Sequence, residues 1–156
     1  MPSREVGASP QWMAGFFDGE GCVNITQVGK SRYGQLRVYV VNTDPAVLGL
    51  IAATYGGRLT KPRSLNGEWK PFRSVVFIAG SAARFLEAIR PYVILKKAQV
   101  ELGLALWSYM QRPSSVRLDV VISHQTGKAT RVRKPGVTER EAEAKAIMND
   151  LNRKGA

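Results

Sequence analysis

The chain has 156 residues with a formal net charge of +11, a pI of about 10.2 and 44% hydrophobic content. That length allows one domain with a substantial core, the apolar content excludes a disordered chain, and the excess of base points to a polyanionic partner. One cysteine (Cys22) and one histidine (His124) exclude an internal disulfide and a zinc site of the usual type, and no run is apolar enough for a secretory leader or a membrane span.

The first predicted element is a helix over residues 9–21. Ser9 is a good N-cap and Pro10 suits the first helical position. Trp12, Met13, Ala14, Phe16 and Phe17 make it apolar on every side, which predicts burial. Gly15 and Gly19 lie one turn apart. Each costs about 1 kcal/mol of helix stability relative to Ala, and together they let another backbone approach closely. Asp18 and Glu20 follow, with Gly21 placed to end the helix. A carboxylate there faces the negative end of the helix dipole. The arrangement suits a bound cation.

The periodicity then changes to two. Val23 and Ile25 alternate with Asn24 and Thr26, predicting a strand over Cys22–Val28, and Leu36, Val38 and Val40 predict its hairpin partner over Gln35–Val41. Asp44-Pro45 starts a second helix with Val47, Leu48, Ile51 and Tyr55 inward, stopped by Gly56-Gly57. A second hairpin runs Arg58–Arg63, turns at Asn66-Gly67 and returns over Phe72–Ala79. Ser81 caps a short helix ending at Ile89, before Pro91. A long helix spans Ile94–Met110, with Leu95, Ala98, Leu102, Ala105 and Leu106 inward. Residues 112–135 read as irregular and basic. Thr138 and Glu141 form a capping box for a last helix reaching about Asn152. The order αββαββαα plus a tail helix makes one α+β domain over residues 1–156. An αββ unit is weakly duplicated within it.

Residues 24–73 hold eight basic side chains (Lys30, Arg32, Arg37, Arg58, Lys61, Arg63, Lys70, Arg73) against two acids, Asp44 and Glu68. By alternation, one sheet face presents Asn24, Thr26, Lys30, Gln35, Arg37, Tyr39, Arg58, Thr60 and Arg73. Such a face suits readout of duplex DNA in the major groove. Lys128, Arg131, Arg133 and Lys134 form a second cluster suited to clamping phosphates. Lys96-Lys97 stands at a helix start, where a lysine opposes the dipole and a local anion would explain it.

Met13-Ala14-Gly15-Phe16-Phe17-Asp18-Gly19-Glu20-Gly21 resembles the nine-residue signature of the LAGLIDADG homing endonucleases. The resemblance implies an αββαββα fold whose antiparallel sheet forms a DNA-binding saddle, followed by C-terminal helices. One motif in a chain of this length looks like the homodimeric members, with Trp12, Gly15, Phe16, Asp18 and Gly19 at the helix interface. Glu20, with the Gly19 carbonyl beside it, is the expected ligand of Mg²⁺ (or Mn²⁺), which prefers oxygen and keeps waters. Two such metals activate the attacking water and stabilise the leaving oxygen. Lys96 matches the family's basic residue beside the scissile phosphate, and Asn42 a polar residue that orients water. Relatives can carry an arginine on the second helix; here Pro45–Tyr55 has no basic residue, so the source of a further cation is open.

The implied activity is site-specific double-strand cleavage at a long pseudo-palindromic target, leaving short 3′ overhangs and promoting the copying of a host intron or intein. The expected setting is intracellular, in an organelle or a bacterial or phage host. Two alternatives stand beside it: a LAGLIDADG maturase binding intron RNA, and a sequence-specific DNA-binding protein that does not cut.

Overall fold

The computed structural model describes residues 7–27, 34–64, 67, 70–111, 118–122, 129–133 and 137–154. Ser9 and Pro10 start α1 (Pro10–Glu20) as expected, the Ser9 hydroxyl accepting the Trp12 N–H at 3.3 Å. The helix is not buried all round. Met13, Ala14 and Phe17 are enclosed, whereas Trp12 stays 43% exposed and stacks on Phe16 with centroids 5.1 Å apart. Gly21 does end the helix, but in extended backbone (φ −91°, ψ 157°) rather than the left-handed form. Its reason for being glycine is packing: a methyl there would overlap the Phe17 ring.

β1 (Gly21–Gln27) and β2 (Gly34–Asn42) pair antiparallel from Gly21 opposite Val40 to Gln27 opposite Gly34. Val23, Ile25, Leu36, Val38 and Val40 are buried in alternation, as the period of two requires. α2 (Pro45–Tyr55) is capped by Asp44, whose carboxylate accepts the N–H groups of Ala46 at 2.8 Å and Val47 at 3.4 Å, and stops at a left-handed Gly56. The second hairpin is shorter than expected. β3 (Arg58–Leu59) pairs with β4 (Arg73–Ile78) over two residues, and an isolated bridge joins Arg63 to Phe72. Asn66 lies outside the described residues, and Gly67 takes the φ of +72° that suits a turn.

The four strands run β1-β2-β4-β3. Phe85 is the hub of the core. It stacks on Phe77 at 4.3 Å and meets Phe17 and Tyr55 edge-on at 5.6 and 5.4 Å, joining α1, α2, the sheet and α3 (Gly80–Ile89). Ser81 is not the cap of α3. Its hydroxyl sits one residue inside the helix, accepting the Ile78 N–H and donating to the Ile78 C=O, both at 2.8 Å.

α4 spans Lys97–Met110 rather than starting at Ile94. The N–H groups of Ile94 and Lys96 are taken by the Asp18 carboxylate at 2.9 and 3.0 Å, which holds residues 94–96 as a turn against α1. Its inner face is Gln99, Val100, Gly103 and Leu106, while Ala98, Ala105 and Leu95 are exposed. Gly103 decides this. It faces Leu36, Leu86 and Val23, and even a methyl would come within 3.1–3.2 Å of them.

The stretch expected to be irregular contains an antiparallel pair, β5 (Leu118–Ile122) with β6 (Ala129–Arg133). In α5 (Val137–Lys154), Glu141 is 2% exposed, and its Oε2 accepts the Gly34 N–H at 3.3 Å at the turn end of the first hairpin. Asn152 closes the other end of the contact, donating to the Val23 C=O of edge strand β1 at 2.8 Å. No described helix is long and apolar enough to cross a membrane.

Candidate nucleic-acid interface and cleavage centre

Register sorts the expected DNA contacts into rows on the face away from the core. Asn24 lies opposite Arg37, and Thr26 opposite Gln35. Tyr39, Val76 and Arg58 form a third row across β2, β4 and β3. Thr60 stands beside Ser74, linked by Thr60 N–H to Ser74 C=O at 2.8 Å and Ser74 N–H to Thr60 Oγ1 at 3.0 Å. Arg37 Nε donates to Gln35 Oε1 at 3.1 Å, which orders the guanidinium along its own strand. The Thr26 hydroxyl oxygen is enclosed, with no hydrogen-bond partner among the described residues. Lys61 and Lys70 are exposed beyond the paired part of the second hairpin.

Arg73 departs from the expected set. It shares alternation with Val75 and Phe77, both fully buried, and stands opposite Asn42, next after the core row Leu36, Val38 and Val40. It therefore belongs to the helix side of the sheet, at its end. Alternation counted from Phe72 puts Arg73 on the other side, because the buried anchor that fixes the phase of β4 is Val75.

The same end receives the C-terminus of α1, since β1 begins at Gly21. Glu20 and Gly19 are exposed there. The carbonyls of the last helical turn carry the negative end of the dipole. Phe17 C=O accepts the Gly21 N–H, and the Lys96 ammonium donates to Asp18 C=O. That contact supplies the negative partner expected near Lys96. Burial pushes the Cys22 thiol above its ordinary range, and the neighbouring Lys96 charge pulls it back in part. Asn42 Oδ1 accepts the Asp44 N–H at 2.8 Å, turning the chain into α2. Asp18 spends its carboxylate within its own chain, on the 94–96 turn.

Glu20 and the main-chain carbonyls beside it make an all-oxygen donor set. Among the described residues no three His, Cys, Asp or Glu side chains gather into a closed metal site. One carboxylate with carbonyls fits Mg²⁺, which takes one or two carboxylates and keeps several waters; it does not fit a closed Zn²⁺ cage. Gly15 and Gly19, on the open side of α1, have nothing near where a side chain would be. Beside Asp18, Ile94 and Leu95 are 79% and 75% exposed, an apolar pair that sequence reasoning had placed in a helix. Lys30, Arg32, Lys128, Lys134 and His124 lie outside the described residues. Arg131 and Arg133 pair with Val120 and Leu118 in the β5–β6 ribbon, not in an irregular loop.

The sheet, the helices on one side of it and the acid at the end of α1 together define the LAGLIDADG homing endonuclease fold. The chain superposes on the homing endonuclease I-CvuI, solved with its target in the presence of Ca, with a TM-score of 0.66 and 22% identity over 91% of this chain and 80% of that one. The LAGLIDADG homing endonuclease I-GzeII, in complex with its DNA target, gives 0.66 and 16% over 91% and 44%. The homing endonuclease I-TnaI gives 0.63 and 14% over 96% and 99%. No family model matches the chain, and no curated protein sequence does.

Proposed function

We propose that the protein is a homodimeric, metal-dependent homing endonuclease that cuts duplex DNA at a long, pseudo-palindromic site. One observation carries the reading. An exposed glutamate ends a helix whose outward side is bare at Gly15 and Gly19, on a fold otherwise found in homing endonucleases. A single chain offers one such carboxylate. Two α1 helices packed through Trp12, Gly15, Phe16 and Gly19 would bring two together, one for each strand. The exposed Ile94–Leu95 turn beside α1 extends the apolar surface available to that contact. Asp18 acts inside its own chain by holding the turn.

The face bearing Asn24, Gln35, Arg37, Tyr39, Arg58 and Thr60 supplies base contacts. Arginine, asparagine and glutamine make bidentate bonds to base edges in the major groove. The ribbon carrying Arg131 and Arg133 supplies phosphate contacts. Mg²⁺ or Mn²⁺ held by Glu20 and the Gly19 carbonyl would activate water and stabilise the leaving oxygen. Lys96, anchored on Asp18 C=O, sets a positive charge beside the scissile phosphate. Twofold symmetry implies the pseudo-palindromic site, and the resemblance to homing endonucleases implies a staggered cut with short 3′ overhangs. Cleavage by such an enzyme promotes copying of the intron or intein that encodes it.

The test is nicking of duplexes, selected by the protein from a randomised library in Ca²⁺, on transfer to Mg²⁺. Glu20→Gln should bind the same duplexes and lose cleavage. Binding without cleavage by the unaltered protein contradicts the reading.

A further inference from the structure

The cleavage centre as drawn so far has one cation beside the phosphate. That cation is Lys96, tethered to Asp18 C=O, and α2 carries no basic residue to add a second. Among the described residues the Arg73 side chain makes no ion pair or hydrogen bond. Its position is unusual for a base-reading arginine. The base-facing parity of β4 belongs to Ser74, Val76 and Ile78, which stand opposite Val41, Tyr39 and Arg37. Arg73 instead continues the Phe77–Val75 row beyond the core, beside Asn42. Gly21 lies opposite Val40, two residues from Asn42 along β2, which is about 7 Å of extended chain. β1 and β4 flank β2, so Arg73 and the α1–β1 junction are two strand spacings apart, about 10 Å. Arg73 and the α1–β1 junction that carries Glu20 thus lie at the same end of the sheet, a separation comparable to the span of a phosphate with its ligands.

Resting on the nuclease reading above, we propose that Arg73 is a phosphate-binding residue of the cleavage centre and not a base reader. Its guanidinium lies against the scissile phosphate from the β4 side, opposite Lys96. It stays charged throughout and offers a planar fork to two phosphate oxygens. It neutralises charge that grows on those oxygens as water adds and the 3′ oxygen leaves. No proton passes through it. It does the work that an arginine on α2 would otherwise do.

The experiment uses the full chain and duplexes selected by the unaltered protein from a randomised library. Arg73→Ala, Arg73→Lys and Arg37→Ala are compared for base preference in Ca²⁺ and for single-turnover cleavage of bound duplex in Mg²⁺. Arg73→Ala should keep the base preference and slow cleavage of bound duplex by roughly 100-fold or more. Arg73→Lys should recover part of that rate, and so should millimolar guanidinium ion added to Arg73→Ala; neither recovery is expected of a residue that only supports the fold. Arg37→Ala should relax preference at particular base pairs. A relaxed preference in Arg73→Ala, with bound duplex cut at the normal rate, overturns the assignment and leaves the nuclease reading standing. Unaltered protein that binds and never cuts overturns both.

Discussion

α1 with β1–β2 and α2 with β3–β4 follow one plan and spend it differently. Both helices have eleven residues, begin with a capping side chain and a proline, and leave through a glycine whose added methyl would collide with the core: Gly21 with the Phe17 ring, Gly57 with Val75 and Phe77. The first unit then delivers Asp18-Gly19-Glu20 into a seven-residue strand, the second Ala53-Thr54-Tyr55 into a two-residue one. Where α1 ends in acid, α2 ends in anchors. Tyr55 Oη donates to the Ala8 C=O at 2.9 Å, and Thr54 Oγ1 accepts the Ala8 N–H at 3.3 Å. The end of the second helix pins the entry to the first. A shared backbone plan thus needs the collision-limited glycines in both copies, whereas the acid is needed in one.

The sharpest break of the comparison is at the two helix ends. Glu20→Gln should lower the cleavage rate by on the order of 1,000-fold or more, about 4 kcal/mol of barrier, with no change in melting. Tyr55→Phe should do the reverse, costing about 1 kcal/mol of stability and leaving cleavage of bound duplex alone. Cleavage by Glu20→Gln at the normal rate would remove the chemical difference between the units.

Next are the glycines. Gly21→Ala and Gly57→Ala should each destabilise by about 1–3 kcal/mol through overpacking, read by urea denaturation. Gly19→Ala has open space around it and should raise helix stability by up to about 1 kcal/mol. Gly19→Leu should block close approach of a second α1 and leave a monomer in sedimentation at micromolar concentration. A Gly19→Leu dimer would show that assembly does not use this face.

The smallest effects are at the caps. Asp44 holds two N–H groups, the nearer at 2.8 Å, while Ser9 holds one at 3.3 Å. Asp44→Ala should therefore cost about 1 kcal/mol and Ser9→Ala roughly half of that. The opposite order in thermal melts would mean that the entry anchors, not the caps, set the stability of each helix start.

What local chemistry decides was legible in the chain. Ser9-Pro10 and Asp44-Pro45 marked helix starts within a residue, and the alternation of Val23, Ile25, Leu36, Val38 and Val40 gave the buried side of the first hairpin. What distant contacts decide was not. Asp18 takes the N–H groups of Ile94 and Lys96 from 76 and 78 residues away, so α4 starts later than its own periodicity implies. Gly103 lies on the inner face of α4, one position from the face its periodicity implies, where a methyl would press on Leu36, Leu86 and Val23 at 3.1–3.2 Å. Glu141, three residues after Thr138, also accepts the Gly34 N–H on β2, a contact that helix spacing cannot reveal. Of the candidate site, Glu20 and Gly19 come from the signature and Lys96 from its place at a helix start, and all three fall at one end of the sheet. The phase of Arg73 was not, because it depends on the register between β2 and β4.

The Glu141–Gly34 hydrogen bond spans 107 residues, and this has a consequence for how the protein is made. A ribosome adding about 5–20 residues per second completes β2 roughly 5–20 s before it reaches α5. During that interval the turn end of the first hairpin lacks its buried acceptor, and the outer edge of β1 lacks Asn152. The nascent ribbon therefore waits with an open strand edge, the condition under which chains pair with the wrong neighbour. Faster translation of residues 43–140 would shorten that exposure, and slower translation would raise the share of aggregated product.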